Sequence, residues 1–130
     1  MNDYKSKFEK NVAAALKKAK ISFGYETKKF EFVQPAKPRK YTPDFELLKT
    51  GVFVETKGKL TAEERHKLEW VAAQNPHLSL VILFMRSRNS IRKGSKTTYS
   101  DWATKAGFRW FCWEQDRERF LNWAKQKGKE

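Results

Sequence analysis

The 130-residue chain is strongly basic, with 28 Lys and Arg against 15 Asp and Glu and a formal net charge of +13 at pH 7. This length predicts one domain with a real core, and this charge predicts a polyanionic partner, either nucleic acid or an anionic membrane surface. No segment reaches the ~18 consecutive apolar residues that a membrane span needs. No signal-peptide pattern opens the sequence, and the lone Cys112 cannot form an intrachain disulfide, so we expect a cytoplasmic protein.

The N-terminal third is predicted to hold one helix followed by extended chain. Ser6-Lys7-Phe8-Glu9 fits a capping box, and the apolar spacing after it predicts a helix to about Lys20. Glu9 then has a purely structural interpretation, because its carboxylate can bond the Ser6 amide. Alternating apolar residues predict extended structure over 21–33. Prolines and basic residues over 34–40 predict an extended connection that faces the polyanion.

A β-hairpin is predicted next, with strands over about 41–48 and 52–57. Because side chains alternate along a strand, Glu55 and Lys57 lie on the same face. A two-residue turn between the strands places Asp44 opposite Lys57 on that face, whereas a longer turn shifts the register. The proline before Asp44 removes one ladder hydrogen bond and favours a bend in its strand.

Asp44, Glu55 and Lys57 form a candidate catalytic constellation. Two carboxylates on one face repel each other unless a cation joins them, and hard oxygen ligands suit Mg²⁺ or Mn²⁺. A lysine two residues after the glutamate can orient an attacking water and neutralise charge that develops on a phosphate. The pattern therefore predicts metal-dependent phosphodiester hydrolysis. Its plain alternative is a solvent-exposed hairpin with an incidental Glu-Lys pair.

The C-terminal half is predicted to alternate helices and strands. The predicted segments are a helix over 61–75, a buried strand over 78–85, a basic loop over 86–96, a short helix over 99–106, a strand over 108–113 and a last helix over 114–127. The helix over 61–75 begins at a second capping box. This order predicts an α/β fold with a mixed β-sheet flanked by helices.

Three longer segments carry a family resemblance. They are Tyr41-Thr42-Pro43-Asp44-Phe45, then Gly51-Val52-Phe53-Val54-Glu55-Thr56-Lys57-Gly58, and Lys93-Gly94-Ser95 before Thr98-Tyr99. They resemble the PD-(D/E)xK nuclease superfamily and, within it, are similar to the phage endonuclease I family, whose members resolve branched DNA, chiefly four-way (Holliday) junctions. The resemblance implies a restriction-endonuclease-like core and a structure-selective DNA endonuclease, in the host cytoplasm if the chain is phage-encoded.

The resemblance also assigns roles to residues. It implies that Glu9, Asp44, Glu55 and Lys57 are the catalytic set, with two Mg²⁺ ions per site for which Mn²⁺ can substitute. In this scheme Asp44 is shared by both ions. Glu55 and the Thr56 carbonyl hold one ion, and Glu9 assists the other.

A domain-swapped homodimer is a further implication of the resemblance. The chain is then a single nuclease domain, residues 1–130, in three parts. An N-terminal segment over 1–33 is joined by an extended bridge over 34–40 to a catalytic core over 41–130. Each active site joins Glu9 of one chain to the other three catalytic residues of the second chain.

Nine basic residues are predicted to contact DNA phosphates. They lie in the bridge, in the helix after the hairpin and in the basic loop: Arg39, Lys40, Arg65, Lys67, Arg86, Arg88, Arg92, Lys93 and Lys96. The alternative for these side chains is a solvated surface without a ligand.

Two other functions stay open at this point. One is a repair or restriction nuclease of the same superfamily that acts on linear duplex. That function needs a base-reading module, which so short a chain does not show. The other is a non-catalytic DNA-binding domain, which is disfavoured because all four expected catalytic residues are present.

Overall fold

The structure is a computed structural model that describes residues 4–34 and 37–126. Its elements are α1 (Lys7–Lys18), β1 (Phe23–Tyr25), β2 (Phe30–Gln34), β3 (Lys37–Tyr41), β4 (Phe45–Leu47), β5 (Val52–Lys57), α2 (Ala62–Gln74), β6 (Leu80–Phe84), α3 (Tyr99–Lys105), β7 (Arg109–Cys112) and α4 (Trp113–Gln126). Pro35 and Ala36 of the predicted bridge, and Lys127 at the predicted end of the last helix, lie outside the described residues. None of the helices in the described part of the chain has the length and apolar character to span a membrane.

Five strands form the main sheet in the order β1-β4-β5-β6-β7. The pairs β1–β4 and β4–β5 are antiparallel, whereas β5–β6 and β6–β7 are parallel. The predicted α/β class with a mixed sheet is therefore confirmed. β2 and β3 pair with each other in a separate two-stranded sheet, which we call the ribbon. The predicted extended segment over 21–33 is thus divided between the main sheet and the ribbon.

β6 shows how one strand supplies two hydrophobic cores. Val81 and Leu83 pack into the cluster that contains the buried side of α1, while Ile82 and Phe84 pack on the opposite face against α2, α3 and the ribbon. All four side chains are buried, and each such burial contributes about 1.5–3 kcal/mol. The predicted strand covered on both faces is confirmed, and the sheet is the middle of three layers.

The helix starts follow the predicted capping signals. Thr61 is the N-cap of α2 and forms a complete capping box with Glu64. Ser6 is the N-cap of α1, and its Oγ accepts a hydrogen bond from the Glu9 N–H at 3.0 Å. α1 ends at Lys18, before the predicted limit, because Lys20 has a φ of 60° in the left-handed region that ends helices.

The predicted hairpin is present, and its register is the one that a longer turn gives, not that of a two-residue turn. The antiparallel register of β4 with β5, continued by one residue, brings Asp44 beside Glu55 rather than Lys57. The turn over 48–51 has four residues instead of two, and it closes with a glycine at a φ of 76°. The register differs by two residues from that of a two-residue turn, and side chains alternate with a period of two. Asp44, Glu55 and Lys57 therefore still lie on a common face.

The predicted first strand of the hairpin is too long. Tyr41 is the last residue of β3 in the ribbon, and the chain leaves strand geometry before β4 begins. Pro43 has no N–H to donate to a ladder. At this break the Asp44 carbonyl accepts a hydrogen bond from the Glu26 N–H at 2.8 Å. The break therefore fixes Asp44 at the start of β4 and ties it to the segment after β1.

The described residues of the predicted bridge lie in two paired strands. β2 and β3 are extended and pair antiparallel, with Gln34 beside Lys37. α2 holds the ribbon through Gln74, whose side-chain amide accepts from the Val33 N–H at 2.6 Å and donates to the Val33 carbonyl at 3.0 Å. These two bonds satisfy part of the outer edge of the ribbon, which strand pairing leaves open.

Candidate active site

A cavity of about 750 Å³ opens where β4 begins and β5 ends. The start of α1, the end of the ribbon and the start of α2 contribute to its walls. The residues that the sequence predicted for catalysis or metal binding all line it: Glu9, Asp44, Glu55, Thr56 and Lys57. Each of them is at most 8% exposed. One chain therefore brings the whole predicted set together around a single cavity.

Asp44 is held by the neighbouring strand. The Thr56 N–H donates to Asp44 Oδ2 at 2.9 Å, and the Thr56 hydroxyl donates to the same oxygen at 2.7 Å. Asp44 Oδ1 accepts no hydrogen bond from the residues that the structure describes. Burial, followed by the charge of Glu55, raises the pKa of Asp44 to about 7 against the opposing effect of the Thr56 bonds. A cation beside Oδ1 is what this carboxylate needs to stay charged at neutral pH.

Glu55 is buried between a hydroxyl and an ammonium group. Tyr41 donates to Glu55 Oε1 at 2.6 Å, and Lys57 Nζ lies 3.3 Å from Glu55 Oε2. Burial raises the pKa of Glu55, although Lys57 and Tyr41 both oppose the rise. Burial and the charge of Glu55 raise the pKa of Tyr41, so its hydroxyl remains a donor. Sequence reasoning missed Tyr41; the available signal was a tyrosine beside Pro-Asp, whose hydroxyl needs a partner once buried.

Lys57 is paired with two carboxylates. Its Nζ lies 3.3 Å from Glu55 Oε2 and 3.0 Å from Glu64 Oε2. Burial acts to lower the pKa of Lys57, but the charges of Glu55 and Glu64 outweigh it, and the pKa is raised. Lys57 is therefore an ammonium group at neutral pH, suited to donate hydrogen bonds and not to act as a base. The capping box that the sequence predicts over 61–64 gives Glu64 the role of a helix cap only.

Glu9 has contacts that its structural interpretation did not include. Its N–H donates to Ser6 Oγ, which is the helix-capping half of the predicted box. Its carboxylate accepts from the Lys5 N–H at 3.1 Å and from the Tyr25 hydroxyl, and not from the Ser6 amide. Burial, and then the bond to Glu9, raises the pKa of Tyr25, which keeps the phenol protonated. The carboxylate of Glu9 is thus held in the cavity wall by groups outside its own helix.

A third carboxylate, which sequence reasoning missed, joins Glu9 and Asp44. Carboxylate oxygens of Glu9, Glu26 and Asp44 all lie within 4.8 Å of one another. Glu26 follows β1 with a φ of 50°, and its carboxylate lies 3.1 Å from Lys5 Nζ. The hydrogen bond to Glu26, and then the charge of Glu26, raises the pKa of Lys5. The local sequence around Glu26 holds no motif, so only the tertiary contact with Asp44 identifies it.

These residues fit a divalent metal ion. Carboxylate oxygens within reach of one another, one of them on a buried Asp with a raised pKa, are the ligands that Mg²⁺ and Mn²⁺ prefer. The three-carboxylate group contains Glu9 and Asp44 of the predicted set and adds Glu26. Glu55 is not in that group and is instead engaged by Tyr41 and Lys57.

The predicted DNA contacts divide into exposed and partly buried side chains. Seven are exposed: Arg39, Lys40, Arg86, Arg88, Arg92, Lys93 and Lys96. Arg65 is partly buried, and its Nη1 donates at 3.3 Å to the Leu60 and Ile91 carbonyls, so it ties α2 to the basic loop. Lys67 lies 5.7 Å from the centre of the Tyr41 ring. Lys40 and Lys67 also line the cavity, which extends the basic surface to its mouth.

The pKa of Asp44 predicts how stability depends on pH in the metal-free protein. The folded pKa of about 7 lies above the usual 3.8, so its stabilising contribution is present below about pH 4 and is lost as pH rises through 7. We expect Asp44→Asn to match wild type near pH 4 and to melt about 10 °C or more above it near pH 8, measured by circular dichroism in EDTA. The matched control is Glu46→Gln, because Thr27 and Lys28 lower the pKa of Glu46. Glu46→Gln should therefore lower the melting temperature near pH 8. Equal pH profiles for Asp44→Asn and wild type would contradict the expectation.

The fold and the site together define a class of protein. A Pro-Asp break begins one strand of a mixed sheet, the adjacent strand ends in Glu-Thr-Lys, and the carboxylates and the lysine meet in one cavity. This is the arrangement of the PD-(D/E)xK nucleases. The sequence model of phage endonuclease I matches residues 1–127, and the chain belongs to the phage endonuclease I family.

Two relatives from phages support this assignment. The chain is 37% identical over 127 residues to endonuclease I of Escherichia phage T7, a match that covers 98% of this chain and 82% of the relative. It is 38% identical over 104 residues to endodeoxyribonuclease 1 of Enterobacteria phage T3, which covers 80% of this chain and 68% of that protein. The family match over residues 1–127 includes every residue of the cavity.

Proposed function

We propose that this chain is a metal-dependent DNA endonuclease that resolves four-way junctions and other branched DNA. The observation that carries the proposal is the convergence of Asp44, Glu55 and Lys57 on one cavity in a member of the phage endonuclease I family. The relative from phage T3 is named an endodeoxyribonuclease, which supports DNA as the substrate. The net charge of +13 suits a polyanion of that kind.

The chemistry follows from the charges in the cavity. When bound, Mg²⁺ or Mn²⁺ supplies Lewis-acid stabilisation of phosphate charge and a water nucleophile near neutral pH. We expect two ions per site, held by Glu9, Asp44, Glu55 and the Thr56 carbonyl. Lys57, as an ammonium group, donates a hydrogen bond to the attacking water or to a phosphate oxygen on which charge develops. The Tyr41 hydroxyl keeps one oxygen of Glu55 fixed at 2.6 Å during this step.

Cleavage of matched substrates tests the proposal. A labelled four-way junction and a linear duplex with the sequence of two of its arms are incubated with the protein in Mg²⁺ or in EDTA, and the products are resolved on a sequencing gel. We expect symmetric cuts near the branch point in Mg²⁺ only. Equal cleavage of both substrates would instead support a duplex nuclease, and binding without cleavage in Mg²⁺ or Mn²⁺ would support a non-catalytic domain.

The basic loop is proposed to contact phosphates, and salt dependence tests this. Arg88 and Lys93 are exposed in that loop, and log K falls by about 0.9 per log[salt] for each neutralised phosphate of duplex DNA. We expect Arg88→Ala and Lys93→Ala each to flatten this slope by about one unit, measured by fluorescence anisotropy in Ca²⁺. Lys18→Ala is the control, because Lys18 is exposed at the opposite end of α1 from Glu9. If both loop variants keep the wild-type slope, the loop is a solvated surface.

We propose further that the active form is a domain-swapped homodimer. Within the ribbon, Phe30 pairs with Tyr41 and Gln34 pairs with Lys37, so the pairing is symmetric about the link between positions 35 and 36. Two copies with this link straightened can form the same pairs between chains, with Phe30 of one copy facing Tyr41 of the other. Such an exchange keeps the contacts of the folded monomer and changes only the connection.

The residue types between the two ribbon strands favour that exchange. The preferred two-residue hairpin turns need a positive φ at their first residue, and proline fixes φ near −65°. Pro35 occupies that position in the sequence. A short link whose residues disfavour a tight turn is a known route to domain swapping. In the exchanged dimer, Glu9 and Glu26 come from one copy, and Asp44, Glu55 and Lys57 come from the other.

A further inference from the structure

Glu64 makes two different contacts with its two oxygens. Glu64 Oε1 accepts from the Thr61 N–H at 3.1 Å, which completes the capping box of α2. Glu64 Oε2 lies 3.0 Å from Lys57 Nζ, which is shorter than the 3.3 Å between Lys57 Nζ and Glu55 Oε2. The side chain of Lys57 is only 8% exposed. The capping group of a helix is therefore also the nearer partner of the buried lysine.

We propose that Glu64 is a positioning residue for Lys57, which it holds at the cavity through the first turn of α2. This inference rests on the proposed nuclease function and assigns Glu64 no contact with the substrate. A lysine ammonium has three N–H donors on a flexible stem. Glu64 accepts a hydrogen bond from this group, and Glu55 lies 3.3 Å from it on a different element. The two carboxylates together fix the group, which keeps N–H donors for the water or the phosphate oxygen.

The rigidity of α2 supports this role. Leu68 and Val71 of this helix are completely buried in the core, and the capping box fixes its first turn. An acid that is anchored in this way places its second oxygen accurately, and errors of about 1 Å at a reacting group can cost roughly 100-fold in rate. Glu63, the preceding residue, is exposed on the same turn and belongs to none of the ion pairs formed by the described residues.

The capping box of α3 shows what capping alone requires. Asp101 at the same helix position accepts from the Thr98 N–H at 3.0 Å and forms a complete box with a shorter side chain. An aspartate therefore suffices for the cap, and the longer Glu64 has the reach to bond Lys57 as well. Gln also suffices, because a capping box needs one acceptor oxygen at this position. The amide nitrogen of Gln, however, is a hydrogen-bond donor and cannot accept a hydrogen bond from the ammonium group of Lys57.

Two substitutions at Glu64 therefore separate positioning from capping. Glu64→Gln keeps the cap and removes the charge, whereas Glu64→Asp keeps the cap and the charge but shortens the reach. The control is Glu63→Gln, which removes the same charge from the same helix turn. We expect both Glu64 variants to lower the single-turnover cleavage rate of a four-way junction in Mg²⁺ by about 10-fold or more. DNA affinity should remain at the level of Glu63→Gln.

The same changes in a Lys57→Ala background test whether Glu64 acts through Lys57. In that background Glu64→Gln should change the residual rate less than 2-fold, because the group that it positions is absent. A reduction of equal size in both backgrounds overturns the inference. The ¹⁵N signal of the Lys57 ammonium group gives a readout without cleavage: slow hydrogen exchange should be lost in both Glu64 variants and kept in Glu63→Gln.

The results distinguish failure of this inference from failure of the proposed function. If wild type cleaves, Lys57→Ala cleaves far more slowly, and both Glu64 variants cleave like Glu63→Gln, the positioning role is rejected while the nuclease function stands. If wild type cleaves no DNA, the nuclease function is rejected. In that case, ammonium spectra that are unchanged in the Glu64 variants also reject the contact on which the positioning role depends.

Discussion

Asp44→Asn is expected to reduce the cleavage rate in Mg²⁺ by at least about 1,000-fold, with the fold and DNA binding retained. Asp44 is buried and carries an oxygen that accepts no hydrogen bond from the described part of the chain, so its main requirement is a cation. Asn keeps the shape and an acceptor for Thr56 but loses the charge. Single-turnover cleavage of a labelled four-way junction measures the loss, and anisotropy in Ca²⁺ measures the binding.

A second buried carboxylate provides the control for this result. Glu46 lies two residues after Asp44 and is 8% exposed, but it bonds Thr27 and Lys28 and does not line the cavity. Glu46→Gln should therefore cleave at nearly the wild-type rate. Cleavage by Asp44→Asn within a few-fold of wild type would remove Asp44 from the metal site. Loss of DNA binding would show that the substitution damages the fold instead.

Sequence patterns predicted the features that depend on neighbouring residues. The capping box at Thr61 and Glu64 locates the start of α2 because its hydrogen bonds join residues three apart. The apolar run of β6 predicts a strand buried on both faces, because successive side chains point to opposite faces and all of them are apolar. The shared face of Asp44 and Glu55 was also predicted correctly. The turn is longer than two residues by an even number, which keeps alternating side chains on the same face.

Features that depend on distant residues were not predictable in this way. The register of the hairpin follows from a four-residue turn, and several turn lengths suit that sequence. Glu26 was missed because its carboxylate joins those of Glu9 and Asp44 only after β1 pairs with β4. Tyr41 was placed in a strand of the hairpin, whereas it ends the ribbon and donates to Glu55 from there.

The double use of Glu64 illustrates the same limit within a single residue. Its position three residues after Thr61 accounts for the capping box completely, so the sequence gives no reason to look for a second partner. Its other oxygen reaches Lys57, seven residues earlier in the chain, because α2 begins close to the end of β5. A pattern that is satisfied locally can therefore conceal a contact that matters for the site.

The exchange of N-terminal segments between two copies predicts which combinations of inactive chains recover activity. Glu9 precedes the link between the ribbon strands, and Glu55 follows it. In a swapped dimer of a Glu9→Ala chain and a Glu55→Ala chain, one site contains both substitutions and the other contains neither. In a dimer or monomer without exchange, every site contains one substitution.

Co-expression of these two chains with different affinity tags should therefore restore one strand cut per junction. Tandem purification isolates the mixed dimer, and a sequencing gel separates single-strand nicks from the paired cuts of wild type. We expect about half of the wild-type nicking rate from the one intact site, and paired cutting should be lost. Each substitution on its own should abolish cleavage in the homodimer.

The controls follow from where each residue lies relative to the link. Asp44→Ala and Glu55→Ala both lie after it, so mixed dimers of these two chains place one substitution in each site and should stay inactive with or without exchange. Recovery in that pair would mean that purified fractions contain wild-type enzyme. No nicking in a verified Glu9→Ala and Glu55→Ala heterodimer, or a monomer by light scattering at working concentration, rejects the shared site. In that case Glu9 and Asp44 of each site come from the same chain, and β2 and β3 pair within each copy.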